Sequence, residues 1–245
     1  MIRTLGIPVL NRGDLLKRCL ESVDHPIETL FIINNSNGND PSIAEVVRQM
    51  ESRELDASGY FERIVVEKYP NLGCGASWNH IIRTMPGSWL ITGSDVQFKP
   101  GSVVKVVQTE EANPDASLIC GDGYSVFAMT KVGKEGLGFF DENYWPAYFE
   151  DVDHWRRVVL SGAKAVHADG FEFVHGEPPD WGSCTVNSDP SLKAKMSKRF
   201  GELGAYYQKK WGGPPGKEAF KSPFNRNGDL RDWKVDPDLR KAFGP

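Results

Sequence analysis

Residues 28–50 read ETLFIINNSNGNDPSIAEVVRQM, and this stretch decides the fold class. Its opening run is apolar at successive positions, Leu30 to Ile33. A strand buried on both faces reads that way, whereas a half-buried strand alternates. The run ends in a polar turn, NNSNGND, rich in residues that bond their own backbone. PSIAEVVRQMESR (41–53) then reads as a helix. Pro41 presets its first turn, and Asp40 can cap its free N–H groups.

The same unit recurs on either side. RTLGIPVL (3–10) is a strand stopped by Pro8 and Asn11. DLLKRCLESV (14–23) places Leu15, Leu16, Cys19, Leu20 and Val23 at helical spacing, with Asp14 as the expected N-cap. FERIVVEKY (61–69) and GASWNHIIRTM (75–85) read as strand and helix, and SWLITGSDVQF (88–98) as a strand that runs into a polar turn. The order β-α-β-α-β-α-β argues for a parallel sheet with helices on its faces. Ligands of such sheets sit outside the carboxyl ends of the strands. PVLN, NNSN, PNLG and GSD all fall there, so one binding crevice is expected at that edge.

After residue 100 the pattern loosens. GSVVKVVQTEEA (101–112) suits a helix, and SLICGDGYSVFAMT (117–130) reads as strands around a Gly-rich turn. YFEDVDHWRRVVLSG (148–162) fits a helix whose acidic first turn suits the positive end of its dipole, with Gly162 as its stop. KAVHADGFEFVHG (164–176) alternates like a strand pair. PSLKAKMSKRFGELGAYYQKKW (190–211) is a basic amphipathic helix, and residues 212–230 are too rich in Gly and Pro for regular structure.

The bulk numbers are those of a globular chain: 245 residues, 40% apolar and 25% charged. No apolar run reaches the ~18 residues of a membrane span. The N-terminus meets Pro8, Asn11 and Asp14 too early for a signal peptide. The four cysteines, Cys19, Cys74, Cys120 and Cys184, form no CxxC pair and read as free thiols. A cytoplasmic protein is the expectation. Residues 190–245 hold 13 Lys and Arg against 6 Asp and Glu, a net of +7. The whole chain is −4, so residues 1–189 carry −11. A basic tail on an acidic body either meets a polyanion or packs back on that body.

Asp95 ends an apolar strand at the mouth of the expected crevice. A carboxylate there can hold a hard divalent cation against phosphate oxygens, or simply close a turn. Further on, YFEDVD crowds Glu150, Asp151 and Asp153 into four positions.

Six pieces stand in a recognisable order: IPVLNR (7–12), IINNSN (32–37), NLGCGASWN (71–79), LITGSDVQFKPG (90–101), GFFDENYWPAYFEDVDHWRRVVLSG (138–162) and VHG (174–176). With them the chain resembles the family 2 glycosyltransferases of GT-A fold, and is especially similar to their rhamnosyltransferase-like and galactofuranosyltransferase-like branch. The resemblance implies a Rossmann-like, mixed but mainly parallel sheet flanked by helices, with a C-terminal helical extension. Residues 1–184 would form the catalytic domain, with 1–100 binding a nucleotide-diphospho-sugar donor and 101–184 the acceptor, and 185–245 would be the basic extension.

The same resemblance implies site residues. Pro8, Asn11, Asn34, Asn35, Asn71, Gly73, Asn79, Ser94 and Asp95 would meet the donor. Asp141, Glu142, Trp145, Tyr148 and Trp181 would meet the acceptor, though the aromatics suit a core equally and the Asp141-Glu142 pair suits capping. Asp95 and His175 would hold Mn²⁺ or Mg²⁺, with His167 a weaker candidate. Asp151 would be the general base of an inverting displacement. Glu150 and Asp153 would support it, and repulsion within the cluster would keep one carboxylate basic. Neighbours on a helix point about 100° apart, so Glu150 and Asp151 cannot do one job.

Two departures stand out. Gly93 occupies the first position of the usual Asp-x-Asp metal motif, and Asn34 stands where an Asp often reads the uracil or ribose. An amide both donates and accepts, so a different base or different contacts are open. The acceptor would be a glycan, a lipid-linked glycan, or a hydroxyl-modified base in DNA reached through the basic tail, which would equally suit an anionic membrane surface. The alternative class is a nucleotide-sugar-binding or carbohydrate-binding protein without catalysis, favoured by Gly93 and opposed by FEDVD. A nucleotidyltransferase would need a Gly-rich basic loop that PVLNRGD supplies poorly.

Overall fold

The computed structural model describes residues 2–121, 123–179, 181–182, 184–226, 228–231, 233–234 and 236. The sheet grows outward from β1 (Ile2–Val9), which pairs in parallel with β2 (Ile27–Asn34) and with β4 (Ser88–Thr92). β3 (Phe61–Lys68) extends the parallel set beyond β2. On the other side β7 (Gly123–Met129) runs antiparallel to β4, followed by β6 (Leu118–Gly121) and β8 (Ala165–His167). The result is a seven-stranded mixed sheet of order β3-β2-β1-β4-β7-β6-β8.

Leu30 and Ile32 face one side of the sheet, Phe31 and Ile33 the other, as the two-residue period of a strand requires. The first side packs on α1 (Gly13–Glu21), α2 (Pro41–Glu51) and α4 (Ser102–Ala112) through Leu16, Ile43 and Val103. The second packs on α3 (Cys74–Thr84), α5 (Lys131–Leu137) and α6 (Glu150–Ser161) through Ile81, Leu137 and Val158. Each such side chain, fully buried, contributes about 1.5–3 kcal/mol.

The local signals have identifiable outcomes. Asp40 caps α2, accepting from the N–H groups of Ser42 at 2.8 Å and Ile43 at 3.2 Å. Gly162 ends α6 at φ 67°. Asp14 does not cap α1: Arg12, in a left-handed conformation, holds that position, and Asp14 lies inside the first turn, bonded to the Arg12 guanidinium. The strand expected to run into a polar turn over 88–98 ends at Thr92, with the turn at Gly93–Asp95. After the turn, β5 (Val96–Phe98) leaves the sheet and pairs antiparallel with β9 (Phe173–His175). The two strands expected over 164–176 do form, but β8 and β9 join different sheets and do not pair with each other. The short helices α5 and α7 (Cys184–Asn187) were not anticipated.

The C-terminal helix, α8 (Pro190–Trp211), docks on the body. Leu203, Tyr207 and Trp211 form a buried cluster with Tyr144. Two of the basic tail's cations, Arg199 and Lys210, are turned fully inward. After a 3₁₀ turn (Pro223–Asn225), residues 237–245 of the expected extension lie outside the described residues. Among the described residues no helix is long and apolar enough to cross a membrane. All four cysteines are free.

Candidate active site

The carboxyl ends of β1 and β4 and the turn before α3 open onto one cleft of about 280 Å³. Pro8 lines it from β1, Asn71 and Gly73 from the turn, and Ser94 and Asp95 from the break after β4. The turn is tightly specified. The Asn71 side chain accepts from the Gly73 N–H at 2.9 Å, and Gly73 sits at φ 81°. A Cβ there would lie 2.5 Å from the carbonyl oxygen of Pro146, so only glycine lets the 145–147 loop approach. That loop is fastened by the Cys74 N–H donating to Pro146 O at 2.7 Å and by the Trp145 indole donating to Asn71 O at 2.9 Å.

Asp95 and His175 meet in the cleft because β5 pairs with β9. Val96 is in register with His175, and His175 Nε2 stands 3.3 Å from Asp95 Oδ1. Burial works against ionisation of Asp95, yet the hydrogen bond and charge of His175, with the N–H groups of Asp95 and Cys184, outweigh it and hold the carboxyl below its usual range. The other ring nitrogen, Nδ1, lies 3.0 Å from Ser125 Oγ, which orients the imidazole. A Cβ on Gly93 would sit 2.9 Å from Asp95 Oδ1. A side chain at position 93 would therefore have to shift the Asp95 carboxylate.

Among the described residues no group of three or more His, Cys, Asp or Glu could hold a metal. The Asp95–His175 pair nonetheless suits a divalent cation, since Mg²⁺-type sites use one or two carboxylates and complete their shell with water and substrate phosphates.

Across the cleft, Tyr148 and Phe149 both adopt positive φ, and α6 starts at Glu150. Asp151 lines the cleft, its Oδ1 accepting from the Val152 N–H at 2.8 Å. Burial raises its pKa against that bond. Glu150 lies behind it, buried, with Oε2 lacking a partner. Burial first, then the charge of Asp151, pushes the Glu150 carboxyl well up. Mutual repulsion was the expected cause of these shifts; burial leads in both.

Asp153 is not at the reacting end. It is fully buried beneath α8, 2.6 Å from Lys210 Nζ and 2.8 Å from the Trp211 indole nitrogen. Arg157 contacts it at 3.3 Å without hydrogen-bond geometry. Burial opposes its charge, but Lys210 and Arg157 prevail and lower its pKa. Asp141, expected at the acceptor, joins the same cluster: its Oδ2 accepts from Lys210 at 2.8 Å and from Tyr206 at 2.9 Å. Glu142 pairs with Arg83 at 2.9 Å.

Several other expected contacts are engaged in structure. Asn34 closes its own turn, accepting from Ser36 Oγ at 2.6 Å, and does not line the cleft. Asn35 does line it, with its amide spanning Ser77 and Leu72. Asn79, fully buried, clamps the backbone of Phe140 from both ends of its amide. Asn11 donates to Thr185 O at 3.0 Å. Tyr148 lines the cleft and meets Phe200 edge-on. Trp145 serves the loop, and Trp181 is 60% exposed outside the lining. His167 is exposed on β8.

The cleft also has walls that sequence reasoning missed. Tyr124 and Ser125 reach it because the antiparallel register sets Val126 opposite Thr92, which leaves Ser125 O bonded to the Gly93 N–H. Leu192 and Met196 come from α8, a helix expected to lie beyond the catalytic part. The amphipathic period of α8 and its charge opposite to that of the body were the hints that it docks.

The comparisons with known proteins accord with this geometry. The family model described as "Glycosyl transferase family 2" matches residues 4–166. A galactofuranosyl glycosyltransferase from Leishmania donovani is 28% identical over 144 residues, 50% of this chain but only 32% of that protein. Among solved structures, the mannosyltransferase PcManGT from Pyrobaculum calidifontis, in complex with GDP-Man and Mn²⁺, aligns at a TM-score of 0.58 and 14% identity over 82% of this chain and 63% of its own. S. aureus TarS aligns at 0.53 and 10% over 86% of this chain and 44% of its own. These likenesses are of fold.

Proposed function

The chain belongs to glycosyl transferase family 2, and we propose that it moves a sugar from a nucleotide-diphospho-sugar to an acceptor hydroxyl with inversion at the anomeric carbon. The observation that carries this reading is that Asp151, with its pKa raised by burial, and the Asp95–His175 pair line one cleft. Asp95 and His175 would hold Mn²⁺ or Mg²⁺, which when bound neutralises charge on the departing diphosphate. Asp151 accepts the proton of the acceptor hydroxyl as its oxygen attacks the anomeric carbon. The bond to the diphosphate breaks on the opposite face. Burial suits this task, because a carboxylate with a raised pKa is a better base near neutrality. The Val152 N–H fixes the carboxylate, and the 145–148 loop with Leu192 and Met196 walls off the acceptor side.

A glycan is the acceptor this reading favours. The inward use of Arg199 and Lys210 weakens the case for a polyanion-binding tail. The test is a panel of nucleotide sugars scored by thermal shift and by donor hydrolysis, with and without Mn²⁺. A shift and turnover with one donor are expected; neither with any donor refutes the proposal. Asp151→Asn should then abolish transfer and leave the donor shift intact.

A further inference from the structure

The described residues outline a second cavity, of about 530 Å³, on the far half of α8. That volume falls within the ~300–1,000 Å³ of small-molecule sites. Its floor is Asn143, almost fully buried, whose amide donates to Tyr206 Oη at 3.0 Å and to Lys234 O at 2.7 Å and accepts from the Asp236 N–H at 2.6 Å. Those bonds lock the C-terminal segment onto the body and hold the walls in place. Three rings line the cavity, Tyr206, Phe224 and Trp233. Phe224 is held at φ 57°, a conformation rare for a bulky residue, and its ring meets Tyr206 at 6.1 Å. The Arg226 guanidinium lies over the Phe224 ring, 5.4 Å from its centre, so ring and cation sit together at the cavity.

The rim is charged, and the charge is unbalanced. Lys209, Arg226 and Lys234 face Glu202 and Asp236. Glu202 is already held by Arg199 at 2.8 Å, so cations prevail. Aromatic faces pack on the C–H face of a pyranose, and a polar rim bonds its hydroxyls. An excess of cations adds selectivity for a carboxylate.

We propose that this cavity binds an acidic saccharide unit, apart from the transfer cleft. The cleft takes Leu192 and Met196 of α8 and the cavity takes Glu202 to Lys209, which the helical rise separates by about 17 Å along the axis. One extended acidic glycan can therefore touch both. The proposal goes beyond the transferase reading and stands without it, since binding here requires no donor.

The test uses the full chain and methyl β-glucuronide, followed by ligand-observed NMR and calorimetry. Methyl β-glucoside and inorganic phosphate are separate arms. The glucuronide should bind saturably and the glucoside at least tenfold more weakly. Trp233→Ala and the exposed Arg226→Gln should each weaken the glucuronide at least tenfold, and Asp151→Asn should leave it unchanged. Absence of saturable binding overturns the proposal, as does affinity unaltered in both cavity variants. Loss of binding in Asp151→Asn places the sugar in the transfer cleft and overturns it too. Phosphate binding as tightly as the glucuronide reduces the site to an anion contact and likewise overturns the proposal.

Discussion

Lys210→Met tests what fastens α8 to the body. Lys210 is fully buried, 2.8 Å from Asp141 and 2.6 Å from Asp153, both themselves fully buried. Methionine keeps most of the volume and removes the charge, so the cost is electrostatic rather than a cavity. Removing one partner of a buried ion pair costs about 3–5 kcal/mol, because the other charge is left without compensation. Asp141 would keep hydrogen bonds from Tyr206 and the Asn143 N–H, and Asp153 would keep Arg157 and Trp211. At about 2–4 °C per kcal/mol for a chain of this size, the melting temperature should fall by about 6–20 °C. The exposed neighbour Lys209→Met is the control and should stay within about 0.5 kcal/mol.

The deficit should also depend on pH. Asp153 titrates below the ordinary carboxylate range when folded, so its contribution is present above about pH 3.9 and is lost only as pH falls through the lower folded value. The variant's deficit should therefore be largest near neutrality and narrow in acid. A Lys210→Met shift no larger than that of Lys209→Met would refute the reasoning.

Three further outcomes are expected. Burial raises the Asp151 pKa, and a base works ionised, so the acid limb of the kcat/KM profile should lie above the ordinary aspartate value of about 3.9; a limb at or below it removes Asp151 as the base. Glu150→Gln should stabilise the fold, because the pKa of Glu150 is pushed well up and its ionisation works against folding; the gain in melting temperature should appear above about pH 4.3 and grow with pH, and a uniform loss counts against it. Ser125→Ala should raise the Mn²⁺ concentration for half-maximal rate about 10–100-fold, since Ser125 orients His175, and an unchanged titration would detach His175 from the metal.

The parallel half of the fold was legible because its signals are local. Unbroken apolar runs such as Leu30–Ile33 report burial on both faces, and Asp40-Pro41 announces a helix. The polar strand ends gathered Pro8, Asn71, Ser94 and Asp95 at one cleft with no more than the βα order behind them. What escaped depends on contacts distant in sequence. Nothing near Asp153 or Asp141 says that a lysine from α8 will neutralise them, so Asp153 read as support for the base and Asp141 as an acceptor contact or a cap. Ser125 depends on the register between β4 and β7, and the strand at 96–98 depends on β9. Asn34 and Asn79 looked like ligand contacts because an amide that closes a turn or clamps a loop has the same composition as one that reads a base.

The Lys210 cluster also dictates an order of assembly. Lys210 lies 69 residues after Asp141, so Asp141 and Asp153 emerge during synthesis well before this counter-charge. The β1–β2 and β2–β3 pairs, by contrast, join strands that follow one another in sequence. Until α8 arrives, Asp153 on α6 has only Arg157 of the same helix as counter-charge. We therefore expect β1 to β3 to gain protection first and the 138–161 segment last, a sequence that pulse-labelled hydrogen exchange would read directly.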